Sequence, residues 1–292
     1  MALFGPKTFG LALGSGGARG LAHIGVLRAL EADGLVPDVI TGTSMGAIVG
    51  AFYAAGVPFD EMEHLAATTD IRSFVEWKET LLGSGEILSS RKLEELLREY
   101  LPPRFEDLRL PFGCVATDLT HGRRVRITTG DLATAVLASA TIPSVFHHVC
   151  IDDMQLVDGS VTEPVPVRFA ERLGAETVVA VDVSGTGTMP LPERGASEGT
   201  HPLREMGRAL LEGASRPRGT TPIDVLITTQ EVLERQIAAP ALERASVVIS
   251  PDVHEVQGLA FADIGDIIAA GERAATAAVP EIRRAARRRV RS

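Results

Sequence analysis

Asp38-Val-Ile-Thr-Gly-Thr-Ser44-Met-Gly-Ala-Ile-Val-Gly50 is the stretch on which the fold turns. Val39 to Thr41 is a short apolar run, as a buried parallel strand shows. Gly42-Thr-Ser44-Met-Gly46 follows, and Ala47 to Ala55 has the composition of a helix. Strand, G-x-S-x-G and helix together predict a tight, strained turn that lifts the Ser44 hydroxyl clear of the sheet. The helix N-terminus directs partial positive charge at that hydroxyl, which favours an oxyanion beside it. Ser44 is therefore the candidate nucleophile.

The preceding unit repeats the plan. Thr8 to Leu13 is an apolar strand, Gly14-Ser-Gly-Gly-Ala-Arg-Gly20 a glycine loop, and Leu21, Ile24, Val26, Leu27 and Leu30 lie mostly on one helical stripe. Two nucleotide-binding readings fail on spacing. Counted from Gly14, the dinucleotide pattern needs glycine where Arg19 stands, and a P-loop needs a lysine that this loop lacks. Exposed backbone N–H groups at a helix start suit any developing negative charge. Successive turns of one parallel sheet share an edge, which brings this loop to Ser44.

The 292 residues are 45% hydrophobic and 23% charged, enough to bury a sizeable core. Net charge is −9 and aromatics are 4%, so no basic footprint or stacking platform for nucleic acid is present. No apolar stretch approaches the roughly 18 residues of a membrane span, and no signal peptide is evident. Two cysteines, Cys114 and Cys150, make neither a disulfide framework nor a zinc site. A cytoplasmic protein without metal or cofactor is expected.

Further along, Asp60 to Ala67 and Arg91 to Tyr100 read as helices, with Trp77 to Gly85 between them either a mobile cover or an ordinary insertion. Phe112 to Ala116 and Val125 to Thr128 form an expected hairpin, its turn holding Asp118. Asp131 caps a helix through Ala138. Asp158 follows Leu156-Val157 at a strand end and precedes Gly159. Val165 to Leu173 is an expected helix, Thr177 to Val183 a central strand, and Gly185 to Thr200 a loop. Helices over Pro202–Glu212, Asp224–Gln236 and Phe261–Ala278 and a strand at Val247–Ser250 complete an α/β alternation.

Four ordered segments carry a resemblance. Gly16-Gly-Ala-Arg-Gly20, Gly42-Thr-Ser-Met-Gly46, Ala138-Ser-Ala-Thr-Ile-Pro143 and Leu156-Val-Asp158-Gly-Ser160 resemble the motifs of the bacterial patatin-like phospholipase family. The resemblance covers residues 8 to 184 well and the C-terminal third loosely. It implies a three-layer α/β/α sandwich with a mainly parallel sheet, and a Ser44–Asp158 dyad that hydrolyses acyl esters of lipids. It departs at Ser160, where the family usually has glycine or alanine.

In that reading Ser44 attacks the ester, Asp158 takes its proton, and the N–H groups of Gly16, Gly17 and Ala18 hold the oxyanion, with Arg19 supporting the loop. A Ser-Asp-His triad is the rival. Among the seven histidines it would use His201 or His254. Only one strand precedes the nucleophile strand, which argues against it. A lipid- or acyl-binding regulator without turnover is the alternative function. The expected organisation is one hydrolase domain, 1–280, and a basic tail, 281–292, holding six arginines. That tail is either a solvated end or a patch for anionic headgroups at the inner face of a membrane. The oligomeric state is not read from the sequence.

Overall fold

The computed structural model describes residues 8–68, 90–143, 146–184, 222–253 and 264–287. The readings that fall on Trp77 to Gly85, Gly185 to Thr200, Pro202 to Glu212, His201 and His254 lie outside the described residues.

Among the described residues, eight strands form one mixed sheet. They are β1 (Phe9–Leu13), β2 (Val39–Thr43), β3 (Phe112–Asp118), β4 (Arg123–Ile127), β5 (Val149–Ile151), β6 (Met154–Asp158), β7 (Thr177–Val181) and β8 (Val247–Ile249). In the order β3-β2-β1-β7-β8 neighbours are parallel. β4 and β6 pair antiparallel with β3, and β5 with β6. Every residue of β1, β2, β3 and β7 is buried, as expected of strands covered on both faces.

The helices are α1 (Ala22–Ala32), α2 (Met45–Ala55), α3 (Phe59–Thr68), α4 (Arg91–Tyr100), α5 (Leu132–Ser139), α6 (Val167–Arg172), α7 (Pro222–Leu242) and α8 (Ile264–Arg287). Side chains of a strand alternate between faces, and the core divides accordingly. Leu11, Leu13, Ile40, Val179 and Val181 pack with Leu27 and Leu30 of α1, Phe52 of α2 and Ile267 of α8. Ala12, Val39, Val178 and Ala180 pack with Val167 and Ala170 of α6 and Ala238 of α7. This is the α/β/α sandwich the motifs imply.

The start of α5 follows the sequence closely, with the Asp131 side chain accepting from the Thr134 N–H. Asp118 is a turn carboxylate, accepting from Thr120 N–H and pairing with His121 and Arg123. One boundary is corrected. The last helix does not stop at Ala278. α8 runs through Pro280 to Arg287. Ile282 is buried in the core, and Arg283 donates to the Asp33 carbonyl. Apolar burial at Ile282 carries the helix past a proline that would otherwise end it. No helix among the described residues is long and apolar enough to cross a membrane.

Candidate active site

The strand registers explain how two residues 114 positions apart meet. β4 occupies one edge of β3 from Cys114 to Asp118. The other edge is shared. β2 covers it up to the pair Thr43–Val115, and β6 takes over at the pair Asp158–Ala116. β2 runs parallel to β3 and β6 antiparallel to it, so the two strands point at each other and end side by side. Ser44 is the residue after β2, and Asp158 the last residue of β6.

Ser44 has φ 57° and ψ −124° at the start of α2. A non-glycine residue there is strained. Gly46 makes the turn possible, because a Cβ on it would lie 2.4 Å from the Leu13 carbonyl oxygen. Gly159 does the same for the acid, since its Cβ would lie 2.2 Å from the Val115 carbonyl oxygen. Ser44 Oγ donates to Asp158 Oδ2 at 2.6 Å, and Asp158 Oδ1 accepts from the Ser160 N–H at 2.8 Å. Ser44 is 8% and Asp158 2% exposed.

The Ala138-to-Pro143 segment holds both residues by the backbone. Ser139 Oγ accepts from the Ser44 N–H at 3.0 Å, and the Thr141 carbonyl from the Asp158 N–H at 2.8 Å. Thr117 Oγ1 donates to the Asp158 carbonyl.

Burial pushes the Asp158 carboxyl up to about 7, and the charge of Glu234 adds to the rise. The hydrogen bonds from Ser44 and Ser160 oppose it. A carboxylate of that basicity takes a serine proton more readily than an ordinary one.

The glycine loop enters a 3-10 turn over Gly17–Leu21, with Gly17 at φ 55°. Among the described residues, the N–H groups of Gly16, Gly17 and Ala18 carry no hydrogen bond. The Arg19 N–H is taken by the Gly16 carbonyl at 3.1 Å. Its guanidinium is buried and donates to Glu231 Oε1 at 2.8 Å. His23 Nε2–H donates to the Gly14 carbonyl at 2.8 Å, and burial lowers this imidazole to about 4, so it is neutral.

α7 supplies a wall that sequence reasoning missed. Ser15 Oγ donates to Glu234 Oε2 at 3.1 Å, and Gln230 Nε2 donates to Glu234 Oε1 and, at 3.4 Å, to Ser160 Oγ. The turn at Ser160 therefore survives the extra hydroxyl, which Gln230 engages. A signal was present: Gln230, Glu231 and Glu234 share one helical face, with Val232 and Gln236 on the opposite one. Among the described histidines none hydrogen-bonds to Ser44 or Asp158; His121 faces Asp118 and His23 the Gly14 carbonyl. No group of residues able to hold a metal ion occurs among the described residues.

Known proteins resemble this chain in sequence and fold. The crystal structure of VipD from Legionella pneumophila superposes with a TM-score of 0.54 at 14% identity, covering 96% of this chain and 66% of that one, a likeness of fold alone. An uncharacterised NTE family protein of Mycobacterium tuberculosis is 38% identical over 181 residues, 62% of this chain and 50% of its own length. Human patatin-like phospholipase domain-containing protein 6 is 33% identical over 205 residues, 65% of this chain and 14% of that protein. The chain thus spans about half the length of the mycobacterial relative. The family model for patatin-like phospholipases matches residues 11–171, which hold the glycine loop, Ser44, the Ala138 segment and Asp158 alike, and with more than half its length so matched the chain belongs to the patatin-like phospholipase family.

Proposed function

We propose that the chain is a lipid acyl hydrolase that cleaves carboxylic esters through a Ser44–Asp158 dyad. The observation that carries this reading is the 2.6 Å hydrogen bond from Ser44 Oγ to Asp158 at a strained turn. Ser44 Oγ attacks the ester carbonyl carbon while its proton passes to Asp158. The N–H groups of Gly16, Gly17 and Ala18 receive the oxyanion. When the intermediate collapses, Asp158 returns the proton to the leaving alcohol and an acyl group remains on Ser44. Water, deprotonated by Asp158, then attacks the acyl carbon, and the proton passes from Asp158 back to Ser44 Oγ as the fatty acid leaves. No metal or cofactor takes part in these steps.

The family match and its relatives named as phospholipases support a lipid ester as substrate. A fluorophosphonate probe tests the proposal directly, because it reacts only with an activated serine. Peptide mapping is expected to find the label on Ser44, with Ser44→Ala and Asp158→Asn unlabelled and at least about 100-fold slower on a soluble ester. Labelling at another serine, or a folded Ser44→Ala protein with ordinary turnover, overturns it.

A further inference from the structure

Ser15 and Arg19 bracket the unbonded N–H groups of Gly16, Gly17 and Ala18, one residue before them and one after. Both side chains reach α7. Ser15 Oγ donates to Glu234 and Arg19 to Glu231, two carboxylates three positions apart on one helical face. Ahead of the donors the backbone is also fixed, because the Ser15 N–H donates to the Pro164 carbonyl and the Gly14 carbonyl accepts from His23. Behind them, the Arg19 N–H donates to the Gly16 carbonyl. That carbonyl and the Gly17 N–H belong to one planar peptide unit and point in opposite directions. Glycine on both sides of the unit leaves it free to turn, so the direction of the Gly17 donor depends on where Arg19 is held.

We propose that Glu231 is a positioning residue of the oxyanion hole: by holding the Arg19 guanidinium it fixes the Gly16–Gly17 peptide so that the Gly17 N–H meets the oxygen of the ester under attack by Ser44. The inference rests on the lipid-hydrolase reading above and adds a residue beyond the 11–171 segment that matches the family model. The energetics of the pair favour a role in geometry over one in stability. The Arg19 and Glu231 side chains are only 5% and 12% exposed, and a buried ion pair seldom repays the loss of hydration. This one is joined by a single contact. Arg19 Nε and Glu231 Oε2, both buried, have no hydrogen-bond partner among the described residues. Burial raises the Glu231 carboxyl above its ordinary value, and the neighbouring Arg19 charge only partly offsets the rise. An apolar pair would fill the same space at less cost, and it would not tie the loop to one place on α7.

The test measures kcat and KM on p-nitrophenyl butyrate, with thermal melts, for the full chain, for Glu231→Gln and for the double variant Arg19→Met with Glu231→Leu. The double variant replaces the pair by apolar side chains of similar volume, leaves no buried charge and keeps Tm near or above that of the parent. It is nevertheless expected to lose kcat at least about tenfold with KM within about twofold, because the oxyanion forms only after attack. Glu231→Gln keeps an acceptor for Arg19 without the charge, and its kcat falls between the two. An alkyl trifluoromethyl ketone gives the second readout. Ser44 Oγ adds to its carbonyl carbon, the proton passes to Asp158 and the carbonyl oxygen is left as an oxyanion, so its inhibition constant is expected to rise in step with the fall in kcat/KM. A folded double variant with parental kcat overturns the proposal, as does a fall in kcat with no change in the inhibition constant. If the double variant does not fold, parental kcat in Glu231→Gln overturns it alone. A parent that neither hydrolyses the ester nor binds the ketone removes the hydrolase reading, and the role of Glu231 with it. Parental turnover that survives the substitutions removes the role of Glu231 only.

Discussion

In the proposed mechanism Asp158 is both buried and ionised when it accepts the serine proton, and the two requirements oppose each other. Burial and Glu234 hold its carboxyl at about 7. The base form is the carboxylate, so kcat/KM on a soluble ester is expected to fall about tenfold per pH unit below about 7 and to level off above it. Glu234→Gln removes a negative charge that disfavours ionisation. Asp158 then ionises at lower pH, and the acid limb of the profile moves down with it. The limb stays above the ordinary carboxylate range, because burial is the larger cause. A pH–rate series on both proteins checks the shift, and superimposable profiles rule Glu234 out as a tuning charge. Glu234 itself spends its oxygens on Ser15 and Gln230, so the glutamine variant keeps much of the geometry while losing the charge.

Ser139 shows why short elements matter more than their length suggests. Its hydroxyl is the acceptor for the N–H of a residue held in a strained conformation. Ser139→Ala leaves that buried N–H unpaired, which costs about 1–3 kcal/mol. Relaxation of the Ser44 turn should lower kcat with KM nearly unchanged, read from denaturant melts and steady-state kinetics together. A stable variant with full kcat means the turn is held by α2 alone. The elements that were legible in the sequence share one property: their geometry is written in adjacent residues. The strand, glycine and helix around Ser44 is such a case, as is the Asp131 cap. β5 was not legible. It is three residues long, and its hairpin with β6 turns through Asp152 at φ 54° and Asp153, without the glycine that marks such turns. The site-facing role of α7 is only partly written in its own residues: Gln230, Glu231 and Glu234 share a face, but the loop they meet lies some 210 residues away.

The whole molecule is closed by α8, which lies along α1 and buries Ile267, Ile268 and Ile282. Truncation after Arg287 is expected to leave the melting temperature unchanged. Truncation after Pro280 removes Ile282 and the Arg283–Asp33 contact and should cost about 2–5 kcal/mol. Equal thermal melts for the two truncations would return residues 281–287 to the status of a dispensable tail. The head-on meeting of β2 and β6 along one edge of β3 also has a consequence in time. At about 5–20 residues per second of synthesis, Asp158 leaves the ribosome roughly 6 to 23 seconds after Ser44. β2 can join β1 and β3 well before β6 exists. Throughout that interval the nascent chain holds Ser44 without Asp158, so under the proposed mechanism a half-made protein has no base with which to attack an ester.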